Sequence, residues 1–486
     1  MRITSLRFEA DQIKFGTDGW RGVIGVDITV ERMLEVAVAS AQELAFQAPL
    51  EINSKKVVIG YDRRFMAPEF AEAITHAIRG CNLEPLLTST SVTTPSCSWA
   101  VVQNKALGAL VITASHNPPE WLGLKIKGHW GGSVESEFTK AVEKRLLGGV
   151  CVVPNFQKTS TFNARRQHIE GLKANFDIPR LIKGLKKMGL KLIIDPMHGS
   201  AAGCITEVFG AESNELIEEI RKERDPFFGG NPPEPLSIYL KEIIAAVKNS
   251  MEEGRPAIGI VFDGDGDRIA AIDETGQFCS TQLLMPLFID HLARVKNIPG
   301  CVIKTVSGSD LMKLVAEDLD REVVELPVGF KYIAAEMLSR KVLIGGEESG
   351  GIGFGEHLPE RDALYAALML IEAIISSGKL LSNRLIDLQK TYINTFYQRV
   401  DLNLENMNYK YKLEAIIKNS PPQFISNQPV KEITFTDGIK LRLDIGDWIM
   451  FRFSGTEPLL RIYCEGPTKE LVENRLDWAK RFVRAL

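Results

Sequence analysis

Several short stretches of this chain gather residue types that can do chemistry. In Thr113-Ala-Ser-His-Asn-Pro-Pro119 a hydroxyl, Ser115, and an imidazole, His116, follow the apolar run 106–112. That run reads as a buried strand. Pro118 and Pro119 keep the preceding residues out of a helix, so Ser115 falls on a stiff turn just past a strand's carboxyl end, where open α/β sheets place their chemistry. A serine there is a candidate nucleophile or phosphoryl carrier. The alternative is that Thr113, Ser115 and Asn117 only stabilise the turn. In Asp263-Gly-Asp-Gly-Asp-Arg268, the carboxylates of Asp263, Asp265 and Asp267 alternate with glycines. Carboxylates this close repel unless a cation sits among them, and hard oxygens favour Mg²⁺ or Ca²⁺ over zinc. Glu274 stands twelfth from Asp263, as in an EF-hand. Against that, Arg268 holds the sixth place, where such a loop needs glycine, and the preceding element reads as a strand.

Gly346-Glu-Glu-Ser-Gly350 puts Glu347 and Ser349 in a glycine-rich turn after a strand. A carboxylate is a strong acceptor for sugar hydroxyls; standing alone, the motif is equally a turn with a solvated glutamate. Arg452-Phe-Ser-Gly-Thr-Glu-Pro458 is a basic, hydroxyl-rich turn in which Arg452, Ser454, Gly455 and Thr456 can form an anion nest, and Arg461 can add a bidentate contact. The alternative is a hairpin with exposed arginines. Phe15-Gly-Thr-Asp-Gly-Trp-Arg-Gly22 is rich in turn formers, with Arg21 a good phosphate partner. Strict alternation in Leu122-Gly-Leu-Lys-Ile-Lys127 places Lys125 and Lys127 on one face, ordinarily that of a surface strand. His198, in the turn Pro196–Ala201, reads as a structural bystander.

In these motifs and their order the chain resembles the α-D-phosphohexomutase family over nearly its whole length. The resemblance implies a phosphoserine at Ser115, and Mg²⁺ shared by Asp263, Asp265, Asp267 and that serine. It implies that Arg21 and Lys125 flank the phosphoryl group and that Arg268 points a cation at it. His116 and Lys125 become the candidates for proton transfer. Glu347 and Ser349 would bind the sugar; Lys331, Arg452, Ser454, Gly455, Thr456 and Arg461 would complete the substrate site. The implied activity is phosphoglucomutase, interconverting glucose 1-phosphate and glucose 6-phosphate through a bisphosphate. A phosphomannomutase or dual-specific mutase is the alternative. Dual-specific members carry histidine where Gly351 and Phe330 stand, departures that lean towards glucose. A metal-dependent phosphatase and a calcium-binding interaction protein are the rivals. A monomer or weak homodimer is expected.

The 486 residues suggest three or four domains, and a net charge of -4 supports neither a nucleic-acid nor a membrane partner. Seven scattered cysteines without a Cys-x-x-Cys pair point to a reducing, cytoplasmic compartment. Met1–Arg7 lacks an apolar signal core, and the apolar stretch Ala363–Ile375 reads as a buried helix too short for a bilayer. Strand and helix signals alternate up to Tyr392, with a helix expected over Leu236–Val247; strands then dominate before a terminal helix, Glu470–Arg484. The fold class expected is α/β: three similar mixed α/β domains plus a C-terminal α+β domain around a central active-site cleft. The expected bounds are 1–170 (phosphoserine loop), 171–277 (metal loop), 278–392 (sugar loop) and 393–486 (phosphate loop).

Overall fold

The computed structural model describes residues 12–454 and 458–486; Met1–Arg7, Gly455 and Thr456 lie outside the described residues. The chain opens with β1 (Trp20–Val23), α1 (Val30–Phe46), β2 (Lys56–Tyr61), α2 (Ala67–Gly80) and β3 (Glu84–Thr88). It continues with α3 (Thr94–Gln103), β4 (Gly108–Ile112), β5 (Trp121–Gly128), α4 (Ser136–Leu147) and β6 (Thr161–Phe162). The sheet runs β1-β5-β4-β2-β3-β6; β4, β2, β3 and β6 are parallel, and β5 is antiparallel to both its neighbours. β4 is buried along its whole length, which is why it reads as a continuous apolar run.

A second sheet repeats this plan. After α5 (Ala164–Asn175) and α6 (Ile178–Met188) come β7 (Lys191–Asp195), α7 (Cys204–Phe209), β8 (Ile217–Glu219) and α8 (Lys241–Glu252). β9 (Ala257–Phe262), β10 (Ile269–Ile272) and β11 (Phe278–Cys279) complete it in the order β11-β10-β9-β7-β8. β7 is parallel to β8 and β9, while β10 turns back antiparallel to β9. The serine stretch links β4 to β5 and the aspartate stretch links β9 to β10. Both therefore occupy one topological position, the carboxyl end of a buried parallel strand before a reversal.

α9 (Thr281–Asp290), β12 (Cys301–Thr305), α10 (Asp310–Asp318), β13 (Val323–Leu326), α11 (Phe330–Ser339) and β14 (Val342–Gly346) follow. β12 pairs in parallel with β13 and β14. β15 (Ile352–Phe354), α12 (Ala363–Ser377) and α13 (Leu381–Thr391) end this part. The last part holds β16 (Phe396–Asn403), α14 (Met407–Asn419), the small pair β17 (Phe424–Ile425) and β18 (Gln428–Pro429), and β19 (Glu432–Thr434). β20 (Ile439–Asp444), β21 (Asp447–Phe453), β22 (Leu459–Gly466) and α15 (Lys469–Ala485) close the chain. Its sheet, β16-β22-β21-β20-β19, is antiparallel throughout. Three mixed α/β parts followed by an α+β part is the architecture expected.

The chain forms two compact units. The first takes residues up to 281 with 329–341 and 349–382; the second takes 282–328, 342–348 and 383–486. Gly346–Gly350 changes unit between Glu348 and Ser349.

Two local expectations need correction. The helix expected over Leu236–Val247 starts only at Lys241. Pro232, Pro233 and Pro235 cannot donate backbone hydrogen bonds, and Ser237–Tyr239 makes a single 3₁₀ turn. β5 is not a surface strand: Lys125 and Lys127 share a face, as alternation requires, but both are fully buried because carboxylates meet them there. α12 is buried over most of its length, as the apolar stretch implied. Among the described residues no single helix is long and apolar enough to cross a membrane.

Candidate active site

Ser115 is buried and held at φ +52°, a left-handed conformation that costs a non-glycine residue energy. Its backbone amide donates to Thr113 Oγ1 at 2.8 Å. Its carbonyl accepts from Arg64, whose side chain is fully buried beneath the loop. All the N–H groups of Arg64 are engaged. Nε donates to Asp62 Oδ2 (3.1 Å), Nη1 to the carbonyls of Pro118 (2.8 Å) and Trp121 (3.1 Å), and Nη2 to those of Ser115 and Asn117 (both 2.7 Å). Asp62 closes the frame by accepting from Thr113 Oγ1 at 2.7 Å. Burial pushes the Asp62 carboxyl up to about 6, with the Arg64 charge opposing it.

The loop's outward product is the Ser115 hydroxyl, which donates to Asp263 Oδ2 at 2.8 Å and lies 3.3 Å from His116 Nδ1. The aspartate loop packs directly on the serine loop: a Cβ at Gly264 would fall 2.5 Å from the Ser115 carbonyl oxygen, so only glycine fits. Gly266, at φ +68°, makes the turn between Asp265 and Asp267. Asp263 Oδ1 accepts from the amides of Asp267 (3.0 Å) and Arg268 (3.1 Å), so the loop is braced by its own first residue.

Asp263, Asp265 and Asp267 are all buried and each offers an oxygen within 4.8 Å of the others. Burial, then the neighbouring Asp265 and Asp267, push Asp263 well above the carboxylate range. Lys125 lies at the edge of this group, with Nζ 2.7 Å from Asp267 Oδ2 and 2.8 Å from both Asp265 Oδ2 and Asp18 Oδ2. Burial alone would discharge this ammonium, but Asp18, Asp265 and Asp267 outweigh it and raise its pKa. Arg361 reaches Asp267 Oδ2 at 2.7 Å and also pairs with Asp18. Lys127 pairs with Glu360 and donates to Ser133 Oγ at 2.8 Å.

The donor set fits a hard divalent cation. Asp265 Oδ1 and Asp267 Oδ1 are buried with no hydrogen-bond partner. Such orphaned anionic oxygens are costly, and a cation bound by oxygens would satisfy them. Glu274 is no part of this set: it is buried and accepts from the Ser382 amide at 3.2 Å and from the Ser382 hydroxyl, which excludes an EF-hand.

Arg21, Arg268 and Lys331 are the other cations expected at the site. Arg21 Nη1 donates to Asn117 Oδ1 at 2.7 Å, tying the glycine-rich stretch to the serine loop. Arg268 is only loosely placed, 4.0 Å from Glu234 and from Asp267, and its buried Nε has no hydrogen-bond partner. Its backbone bridges Gly351. Lys331 donates to Ser136 Oγ at 2.6 Å and lines a small cleft with Phe15, Thr17 and Asp18. Phe330 is buried against the Arg361 guanidinium, 5.4 Å from the ring centre. Ser349 is half-buried in the first unit. His198 sits at φ +61° with Nδ1 3.1 Å from the Glu223 carbonyl, in a structural setting.

The second unit carries Glu347, which is buried, and the arginine pair. Arg452 and Arg461 stand directly opposite one another on β21 and β22. Like charges so placed repel. Each has an acidic neighbour: Arg452 Nε donates to Asp437 at 2.9 Å, and Arg461 lies 3.7 Å from Asp401. Ser454 is buried, and the Lys410 ammonium donates to its carbonyl.

Family models for phosphoglucomutase/phosphomannomutase match four successive stretches. The α/β/α domains I, II and III match residues 12–149, 166–276 and 281–392, and the C-terminal domain matches residues 405–478. The chain belongs to the phosphoglucomutase/phosphomannomutase family. A crystal structure from Thermus thermophilus, described as a putative phosphomannomutase, is 31% identical with a TM-score of 0.84 and covers 98% of this chain and 100% of its own. The phosphoglucomutase/phosphomannomutase of Thermococcus kodakarensis is 28% identical over 95% of this chain and 96% of its own. The phosphoglucosamine mutase of Limosilactobacillus reuteri is 28% identical over 97% of this chain and 98% of its own. This phosphohexomutase carries a buried aspartate cluster that could hold a metal ion.

Several site residues carry no local sequence signal. Asp18, Arg64, Thr94 and Arg361 act through partners distant in the chain.

Proposed function

We propose that this phosphohexomutase interconverts glucose 1-phosphate and glucose 6-phosphate by way of a phosphorylated Ser115. The observation that carries the reading is the Ser115 hydroxyl 2.8 Å from Asp263, within an aspartate cluster whose orphaned oxygens suit Mg²⁺. Asp263, Asp265 and Asp267 with Ser115 would hold the ion. Bound there, Mg²⁺ supplies Lewis acidity at a phosphoryl oxygen and neutralises charge.

Transfer breaks the bond between phosphorus and Ser115 Oγ as the bond to a sugar hydroxyl forms. The hydroxyl proton leaves to a base, and the serine oxygen departs as an alkoxide. Arg21, Lys125 and Arg268 stabilise the charge on the phosphoryl group in flight. Lys125, ringed by carboxylates, holds its proton, so His116, 3.3 Å from Oγ, is the better candidate for moving one. The bisphosphate then turns over and returns its other phosphate to Ser115. Glu347 and Ser349 accept from the sugar hydroxyls. Arg452, Ser454, Gly455, Thr456 and Arg461 hold the phosphate that is not reacting, and Lys331 is a further substrate-binding residue; an anion between Arg452 and Arg461 would relieve their repulsion.

Gly351 and Phe330 support glucose over mannose, since neither offers the imidazole of dual-specific relatives. An amino sugar is the second reading, favoured by relatives named phosphoglucosamine mutase. A phosphosugar partner, a cytoplasmic setting and a monomer or weak homodimer complete the proposal; all seven cysteines are free, which fits a reducing compartment. The test is isomerisation of glucose 1-phosphate, glucosamine 1-phosphate and mannose 1-phosphate, with and without EDTA. Glucose 1-phosphate should show the highest kcat/KM and EDTA should abolish it. Inorganic phosphate released in place of an isomer would mean a phosphatase, and faster glucosamine turnover would install the second reading.

A further inference from the structure

Away from the serine lies a buried cluster whose members come from separate parts of the chain. His168 Nε2 and His357 Nε2 each lie 2.8 Å from the same oxygen, Asp362 Oδ2. All three side chains are almost wholly buried. The other oxygen, Asp362 Oδ1, caps α12 by accepting from the amides of Leu364 (3.0 Å) and Tyr365 (3.1 Å), which fixes the carboxylate against the helix. The His357 ring is stacked between Trp99 (5.4 Å) and Tyr365 (4.3 Å).

From His168 the contacts continue; from His357 they stop, since its buried Nδ1 has no hydrogen-bond partner. His168 Nδ1 is 3.0 Å from Ser96 Oγ, and Ser96 Oγ is 2.7 Å from Thr93 Oγ1. Thr93 is the N-cap of α3, where its hydroxyl accepts from the Ser96 amide. The next residue, Thr94, donates its hydroxyl to Asp265 Oδ2 at 2.6 Å and its amide to the Asp265 carbonyl at 2.8 Å. A continuous path thus runs from the cap of α12 through α5 and the first turn of α3 to the middle aspartate of the metal loop. One tautomer satisfies the whole path: with the His168 proton on Nε2, facing the Asp362 carboxylate, Nδ1 can accept from Ser96 and Ser96 from Thr93.

We propose that His168 and Asp362 are positioning residues that, through Ser96 and the capped start of α3, hold Asp265 in place for its cation. Resting on the reading of Asp265 as a metal ligand, this adds three residues that touch neither ion nor substrate. The His/His/Asp composition would also suit a second ion. Yet both Nε2 atoms already lie at hydrogen-bonding distance from the carboxylate, and aromatic rings close the space beside His357.

The test is Mn²⁺ binding followed by electron paramagnetic resonance, which reports affinity and stoichiometry without any turnover. Wild type, Ser96→Ala, His168→Gln and His357→Gln are compared, with Thr94→Val as the direct break and melting temperatures recorded in parallel. Wild type should bind one equivalent. Ser96→Ala and His168→Gln should weaken it by about threefold to tenfold, below the ten- to hundredfold typical of groups that bond a ligand directly. Thr94→Val should fall in that higher range. His357→Gln, which disturbs the same cluster off the path, should lower the melting temperature and leave affinity within about twofold of wild type by that scale. The proposal is overturned if Ser96→Ala and His168→Gln bind Mn²⁺ as wild type does, or if His357→Gln weakens binding as much as they do. A second equivalent lost on removing both histidines would also overturn it, making the cluster an ion site. Failure of the wild type to bind Mn²⁺ would instead sink the metal-loop reading itself, and shows up separately.

Discussion

The serine loop and the metal loop occupy the same topological position in two successive sheets, yet the charge that braces each comes from a different place. In the metal loop it is internal: Asp263 accepts from amides four and five residues on, two glycines supply the close approach and the turn, and Thr94 adds a neutral hold on Asp265 from outside. The serine loop is braced from outside, by an arginine more than fifty residues earlier whose guanidinium gathers four carbonyls in and just beyond it. A loop that carries anions can be closed by its own amides and a cation. One that must present a neutral hydroxyl in a left-handed conformation has no such internal charge, so it borrows a buried one.

The largest expected effects come from removing the reacting groups themselves. Ser115→Ala should lower kcat by at least about a thousandfold, as loss of a nucleophile does, while Mg²⁺ binding by calorimetry survives because Asp263, Asp265 and Asp267 remain. Asp265→Ala should cost similar activity and lose the ion as well. Ca²⁺ should bind wild type yet support little turnover, because it prefers longer and looser coordination than Mg²⁺; equal rates with the two ions would contradict a preference for Mg²⁺ here.

The contrast in bracing is tested by Arg64→Met. It leaves Asp62 buried without its charge partner and takes a donor from four carbonyls, so denaturant unfolding should show a loss of about 3–5 kcal/mol, with turnover reduced among molecules that still fold. A loss below about 1 kcal/mol, the size of one ordinary hydrogen bond, would mean the loop does not depend on its buried anchor.

A smaller effect is expected at the arginine pair of the second unit. In a Ser115→Ala background, Arg452→Ala should weaken calorimetric binding of glucose 1-phosphate and of glucose 6-phosphate alike, by roughly one to two powers of ten, from a charge-assisted contact of ~1.5–3 kcal/mol. Loss for only one isomer would mean that this loop is not the shared phosphate site.

The contrast also explains what could be read from the chain beforehand. Strand-then-loop patterns placed Ser115 and the aspartates correctly at strand ends, and β-alternation put Lys125 and Lys127 on one face. The burial of those lysines was not legible, because it depends on Asp18 and Glu360, far away in the chain. Arg64 and Thr94 were illegible for the same reason. The likeness of the first two sheets was expected from element order and the family resemblance, although no shared sequence repeat encodes it; the structure locates it in strand order and the reversal after each loop.

The most direct test of the phosphoserine relay is the intact mass of the protein after incubation with glucose 1,6-bisphosphate and Mg²⁺. Wild type should gain one phosphoryl group, located to Ser115 by fragmentation, and an isotopic label on that group should pass into the glucose 6-phosphate formed on adding excess glucose 1-phosphate, while Ser115 is rephosphorylated from the intermediate. Ser115→Ala should gain none. Isomerisation that proceeds at full rate in Ser115→Ala, or a phosphoryl group carried on another residue, would contradict the relay.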